Sequence, residues 1–359
     1  MKICLIGLGA VGQGVLKAIQ LKKEAIHERY GLNLKVVAVA DSKASVVNEN
    51  GLDEEEVLNY KKENGSLLNF DCRNNTNNNT NNNTNNNTNT NINNNMSNLN
   101  GIELLNTIDY DSLVEATPSN IKTGEPAKSL TLKAFSDKKH VVTSNKGHLA
   151  LFYLELISSA NKNNVEFKFE ASVGGAMPII NFPEESLSSA NIESIVGILN
   201  GTTNYILSRM TSEGSSYENV LDESKQLGIA ETDPTMDVEG IDAACKTVIL
   251  ANSVLGINST YTDVDVTGIS KITPESINLA KKEGYLIKLI AEVSSVKLKV
   301  GPRLVKKNSP YAIGGTLNMA TLKTDLAEDI TIIGKGAGSL ETASAILTDI
   351  INIGKKYKF

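Results

Sequence analysis

KICLIGLGAVGQGVLKAIQ, Lys2 to Gln20, runs from a short apolar segment through three spaced glycines into apolar residues at the three-to-four spacing of an amphipathic helix. The order is strand, tight turn, helix. At the turn, Gly7, Gly9 and Gly12 give a backbone free to bend sharply and leave N–H groups of Ala10, Val11 and Gly12 at a helix N-terminus, where a pyrophosphate binds well. A second β-branched run, LKVVAVA (Leu34 to Ala40), ends at Asp41 and completes a βαβ unit of ordinary size. In that setting the glycines read as a dinucleotide-binding turn, with a plain packing turn as the alternative. Asp41 is placed to accept from a ribose 2'-OH, which favours NAD, whereas Ser42 and Lys43 suit a 2'-phosphate, so NAD and NADP both stay open.

Working outward, Ser112 to Ala116 and His140 to Thr143 are short continuous apolar runs, the pattern of buried parallel strands. Between the βαβ unit and these strands lies Asn74 to Asn100, where 18 of 27 residues are asparagine and NNNT repeats three times from Asn77 to Thr88. Such a tract offers too little apolar surface to offset the entropy of ordering it, so a disordered surface insertion is expected. The middle of the chain mixes strands and helices, and GKGAGSLETASAILTDIINI (Gly334 to Ile353) reads as a glycine turn opening an amphipathic helix that packs back on an existing domain.

With 359 residues the chain has mass for about two domains. A net charge of -6 without a basic block gives no reason to expect nucleic acid or an anionic membrane surface. No apolar stretch has the length of a bilayer span, and the N-terminus runs into glycines rather than a cleavage site, so a cytoplasmic protein is expected. Cys4, Cys72 and Cys245 are odd in number and far apart, which suggests neither a disulfide framework nor a zinc site.

AETDPTMDVEGIDAACK, Ala230 to Lys246, gathers Glu231, Asp233, Asp237, Glu239 and Asp242 before one lysine. Calcium fails as an explanation: Thr235, Asp237, Glu239 and Gly240 suit an EF-hand-like loop, but its twelfth position is Lys246 instead of a bidentate glutamate. A helix starting near Glu239 would be mostly apolar and would carry Asp242 and Lys246 one turn apart. Either they form an ordinary i,i+4 ion pair, or a desolvated, oriented lysine serves proton transfer while the upstream acids receive a substrate ammonium. In GILNGTTNYIL, Asn200, Thr202, Thr203 and Asn204 cap a helix or line a pocket, and in VVTSNKGHLA Lys146 follows a buried strand, where open α/β sheets present ligand-contacting residues.

Taken in order, GLGAVG, VVTSNKG, FEASVGGAMPII, GILNGTTNYIL, AETDPTMDVEGIDAACK and the terminal GAGSLETASA resemble homoserine dehydrogenase over nearly the whole chain. The resemblance implies an α/β protein: a Rossmann-type nucleotide-binding domain (1–168, with the insertion 74–100) completed by the C-terminal helix (337–359). It further implies an α/β catalytic domain (180–304) and a small dimerisation region (169–179 and 305–336) of a homodimer. It implies NAD(P) held by Gly7 to Gly12, Thr117, Lys146 and Gly338. Homoserine or aspartate semialdehyde is expected at Glu231, Asp242 and Thr203, with Lys246, Asp242 and Lys146 as the catalytic groups. A monovalent cation, sodium, is expected at Glu170 with the backbone carbonyls of Val173, Gly175 and Met177; oxygen ligands suit such a hard cation.

His148 stands where the family often has proline, and Cys245 where a basic residue is common. The expected form is the short, monofunctional one, without a kinase domain before residue 1 or a threonine-sensing module after Phe359. The related aspartate-semialdehyde dehydrogenase works through a thiol, and no cysteine here has an evident activating histidine. A non-catalytic nucleotide sensor is the rival of a different class; it would need the glycine turn but not Lys246.

Overall fold

The computed structural model describes residues 1–70 and 99–359. In chain order it contains β1 (Lys2–Ile6), α1 (Ala10–Tyr30), β2 (Lys35–Ala40), β3 (Ser45–Val47), α2 (Glu54–Asn64), α3 (Gly101–Thr107), β4 (Ser112–Glu115), α4 (Ala127–Ser136), β5 (His140–Thr143), α5 (Lys146–Asn163) and β6 (Phe167–Lys168). These precede α6 (Asn181–Ser186), β7 (Ile192–Ile198), α7 (Gly201–Glu213), α8 (Tyr217–Gln226), α9 (Thr235–Val238), α10 (Ile241–Ser253) and β8 (Asp265–Val266). The chain ends with α11 (Pro274–Lys282), β9 (Tyr285–Ser294), β10 (Lys297–Lys306), β11 (Leu317–Thr324), β12 (Asp329–Lys335) and α12 (Ser339–Tyr357).

The first sheet has the order β3-β2-β1-β4-β5-β6, parallel except for the antiparallel edge pair β2/β3. This is the doubly wound order, whose reversal point at β1/β4 opens a crevice at the carboxyl ends of the strands. The continuous apolar runs of β1 and β2 follow from helices covering both faces. On one of those faces α12 packs against α1, where Ile346, Ile350 and Ile353 join Ile3, Leu5, Val15 and Leu16 in one core. The C-terminal helix therefore completes this domain.

Most of the insertion 74–100 lies outside the described residues. Its last residue, Asn100, belongs instead to α3: its side chain accepts from the Glu103 N–H, and Glu103 accepts from the Asn100 N–H, a reciprocal capping box.

The second sheet, β12-β11-β7-β9-β10-β8, is antiparallel apart from β8/β10. Two expected boundaries differ from what is seen. The division at 304/305 falls inside β10, and 305–336 contributes β11 and β12 to the same sheet as β7 and β9, because antiparallel neighbours need only short connections. Segment 169–179 packs at the foot of α12, where the Glu170 N–H donates to Asp349 and Gly175 lies against Gly336. Among the described residues no helix is long and apolar enough to cross a membrane.

Candidate active site

The nucleotide end forms where β1 meets α1. Gly7 has φ +103°, and a Cβ there would lie 2.3 Å from the Ala116 carbonyl oxygen; one on Gly12 would lie 1.9 Å from the Gly7 carbonyl oxygen. Those two glycines are dictated by packing. Gly9 is different, because a Cβ there would meet nothing within 4 Å. The first intrahelical bond of α1 runs from Gln13 N to Gly9 O (3.0 Å), so the N–H groups of Ala10, Val11 and Gly12 have no hydrogen-bond partner among the described residues, and the space beside Gly9 is open. A pyrophosphate fits that space and those donors. Gly338, with φ +135°, precedes α12, and the Ser339 hydroxyl donates to the Ala10 carbonyl (2.6 Å), bringing the second glycine turn beside the first.

Asp41, at the end of β2, is engaged by its own neighbourhood. Its carboxylate accepts from the N–H groups of Lys43 (2.8 Å), Ala44 (3.0 Å) and Leu67 (2.9 Å) and pairs with Lys61 (2.6 Å). Burial alone would raise this carboxyl, but Lys61 and the three N–H donors hold it below the ordinary range. All four of those interactions lie within the described residues, and Ser42 and Lys43 are exposed beside the group.

Across the crevice the Thr117 N–H (2.8 Å) and hydroxyl both donate to Glu115, as does Thr143 (2.7 Å). Burial raises the Glu115 carboxyl, against the pull of those donors. This glutamate, unremarkable in the sequence, ties the ends of β4 and β5 together. Asn145 donates to the Thr117 carbonyl (3.0 Å), caps α5 through the Gly147 N–H (2.9 Å), and so sets Lys146 at the first position of that helix.

A second cluster of candidate residues is built on α7 and α10. Along α10 every residue from Asp242 to Asn252 is buried. The Lys246 ammonium donates to the Leu199 carbonyl (2.7 Å) and to Asp242 Oδ2 (2.6 Å), and Lys146 approaches Asp242 Oδ1 at 3.6 Å from the other domain. Burial would raise the Asp242 carboxyl; the charges of Lys246 and Lys146 and the hydrogen bonds outweigh it and bring the group down to about 2. Asn200 caps α7 by accepting from the Thr203 N–H (2.9 Å), and its amide donates to Asp237 (2.7 Å) and Asp242 (3.0 Å). One asparagine therefore fixes two acids, a link invisible in the sequence because it spans 42 positions.

The acid-rich stretch thus divides. Asp237 and Asp242 converge on Asn200, and Asp233 accepts from the Thr235 N–H (3.1 Å) and hydroxyl (2.6 Å), which makes it a local turn residue. Exposed Glu231 makes no hydrogen bond or ion pair with the described residues, and its loop is tied to α7 by the Thr202 hydroxyl donating to the Ile229 carbonyl (3.2 Å). Thr203, expected to touch substrate, is fully buried with its hydroxyl donating to Asn200 (3.0 Å); it acts on the site through that cap.

The expected cation ligands are only partly available. Both Glu170 carboxylate oxygens accept N–H groups of the α6 entry, from Ile180 (3.0 Å) and Asn181 (2.5 Å), so the side chain is committed. The Glu170 and Met177 carbonyls each accept one backbone N–H, whereas those of Val173 and Gly175 accept none. Among the described residues no group of three His, Cys, Asp or Glu is arranged to hold a metal.

His148 is buried with both ring nitrogens unpartnered, and burial holds it at about 3, hence neutral. Burial pushes the Cys245 thiol up to about 12, and that of Cys4 upward as well, so neither is a ready nucleophile. Cys72 lies outside the described residues.

A family model described as "Homoserine dehydrogenase, NAD binding domain" matches residues 7–170, and one described as "Homoserine dehydrogenase" matches 178–351. The chain belongs to the homoserine dehydrogenase family. A homoserine dehydrogenase of Methanocaldococcus jannaschii is 48% identical over 353 residues, 98% of each chain. An NAD(+)-dependent homoserine dehydrogenase of Pseudomonas canavaninivorans is 33% identical, covering 98% of this chain and 96% of that one. A crystal structure from Archaeoglobus fulgidus assigned to homoserine dehydrogenase superposes with a TM-score of 0.85 at 44% identity, over 98% of this chain and 99% of that one. A hyperthermophilic archaeal homoserine dehydrogenase in complex with NADPH superposes at 0.81 with 27% identity, over 100% and 98%. The homoserine dehydrogenase motifs seen in the sequence thus sit on the family's fold.

Proposed function

We propose that this chain reversibly reduces aspartate 4-semialdehyde to L-homoserine with NAD(P)H. The observation that carries the reading is the buried Lys246–Asp242 pair approached by the half-buried Lys146 from the carboxyl end of β5 in the first sheet. A plain i,i+4 ion pair has no need of a third charged group from another domain, and a nucleotide sensor has no need of Lys246.

When bound, the nicotinamide donates or accepts the hydride. In the reducing direction the aldehyde oxygen gains charge and takes a proton. Two of the three N–H donors of Lys246 are held by Leu199 and Asp242, which leaves one to point at that oxygen and pass the proton. Asp242 orients the ammonium, and Lys146 adds positive charge from the cofactor side. The N–H groups of Gly201 and Thr202 at the start of α7, without a hydrogen-bond partner among the described residues, suit the substrate carboxylate, and Glu231 with Asp237 suits its ammonium. Thr203 serves by fixing Asn200.

Withdrawal of Asp41, with Ser42 and Lys43 exposed, favours NADP over NAD. The Val173 and Gly175 carbonyls, with the second lone pairs of the Glu170 and Met177 carbonyls, suit a monovalent cation without the Glu170 carboxylate. A homodimer through the second sheet is supported by a small core on one face (Ile198, Ile290, Met319) bordered by half-buried Val196, Leu286, Tyr311 and Ile313; sedimentation at micromolar concentration reads it.

The test is nicotinamide reduction with L-homoserine, NAD and NADP side by side. Activity with a higher kcat/KM for NADP is expected, and Lys246→Ala should lower kcat at least a hundredfold with the NADP KM little changed. No turnover by folded protein with either nucleotide would refute the reading.

A further inference from the structure

Lys288 on β9 is 3% exposed, and its ammonium donates to two neutral groups on α7, Asn204 Oδ1 (2.7 Å) and Ser208 Oγ (2.9 Å). Among the described residues no carboxylate pairs with it. The acid on its own face of the strand, Glu292, is held by Lys297 and Arg303, and Arg303 is the cross-strand neighbour of Lys288 on β10. Burial lowers the lysine to about 8, so near neutrality it still carries its charge. An unpaired ammonium inside a domain is costly, and an apolar residue of similar length would fill the same space without that cost. Such breaches of packing rules concentrate where function requires them.

The position of the charge suggests the function. Asn204 is held rigidly, donating from its amide to the Leu317 carbonyl (2.9 Å) while its backbone N–H bonds the Asn200 carbonyl (3.3 Å). The ammonium therefore sits beside the first two turns of α7, between Asn204 and Ser208, on the helix whose Gly201 and Thr202 N–H groups have no hydrogen-bond partner among the described residues and whose cap, Asn200, fixes Asp237 and Asp242. A cation there reinforces the positive end of the helix in a medium that screens poorly.

We propose that Lys288 is a positioning residue that, through Asn204 and the first turn of α7, supplies part of the positive field holding the substrate carboxylate. The inference rests on the reaction proposed above.

The decisive variant is Lys288→Gln in the full chain, neutral but still able to hydrogen-bond with α7; Lys288→Met serves if the glutamine variant does not fold. The expected result is a KM for L-homoserine raised about tenfold, with kcat and the NADP KM within twofold of the parent. Lys288→Arg, which keeps the charge, should recover most of the homoserine affinity. A merely structural lysine would lower kcat or disturb both substrates alike, and that result, or an unchanged homoserine KM, overturns the proposal. Failure of the parent itself to oxidise homoserine would refute the reaction and with it the role assigned to Lys288, whereas an active parent with an unchanged homoserine KM in Lys288→Gln would overturn that role alone.

Discussion

Asp242 divides its two oxygens between the domains: Oδ2 takes Lys246 and Asn200, Oδ1 faces Lys146. Removing its charge while keeping its shape should therefore be expensive. Asp242→Asn is expected to lose about 3 kcal/mol at pH 7, because Lys246 is then buried opposite a neutral amide. The pH dependence has a definite sign. A carboxyl lowered from 3.8 to about 2 stabilises the fold above its unfolded value and loses that contribution as pH falls through the folded one. Urea titrations should show the parent losing on the order of 2 kcal/mol more than Asp242→Asn between pH 4 and pH 2, and parallel slopes would exclude the linkage. At this scale the i,i+4 spacing made the Asp242–Lys246 pair legible in sequence. The cap at Asn200 was legible as well, but its bonds to Asp237 and Asp242, 37 and 42 positions away, were not, nor were the Glu115 bond to Thr143 across 28 positions and the Asp41 pair with Lys61 across 20.

At the scale of the β1–α1 turn, three glycines that look alike in GLGAVG are held for different reasons. Gly12 has no room for a methyl group, whereas Gly9 has room but borders the space assigned to the pyrophosphate. Gly12→Ala is expected to destabilise the protein by about 3 kcal/mol or more, since the obstacle is backbone and cannot move aside. Gly9→Ala should melt within about 2 °C of the parent yet bind NADP at least tenfold more weakly, since a one-methyl obstacle breaks close backbone approach. Thermal melts paired with nucleotide titration by fluorescence separate the two; weakened stability at Gly9 or intact binding there would contradict the assignment. The turn was readable because strand, glycines and helix are contiguous. That Ser339 and Gly338 arrive beside it from the far end of the chain is something contiguity could not reveal.

For the whole molecule, α12 joins the second sheet to the first domain: β12 leads into Gly338, and the helix then packs on α1. Its periodicity was plain in sequence, and so was its return to an existing domain. The extent of the second sheet was not, because strand partnership in an antiparallel sheet depends on register rather than on local pattern. If α12 holds the Gly338 turn in place, loosening its buried face should damage both stability and cofactor binding, and loosening its exposed face should damage neither. Ile350 is fully buried against α1 and β1, while Leu340 on the same helix is 49% exposed. Ile350→Ala is expected to cost about 3 kcal/mol, or roughly 5–10 °C in melting temperature, and to raise the NADP KM several-fold. Leu340→Ala should stay within about 0.5 kcal/mol of the parent with an unchanged KM. Saturating NADP should recover part of the loss in Ile350→Ala, because a ligand bound only to the folded state adds stability in proportion to the logarithm of its concentration over Kd. A destabilised Ile350→Ala whose NADP KM matches the parent would mean that α12 stabilises the domain without positioning the turn, and the coupling between the two ends of the chain would then be packing alone.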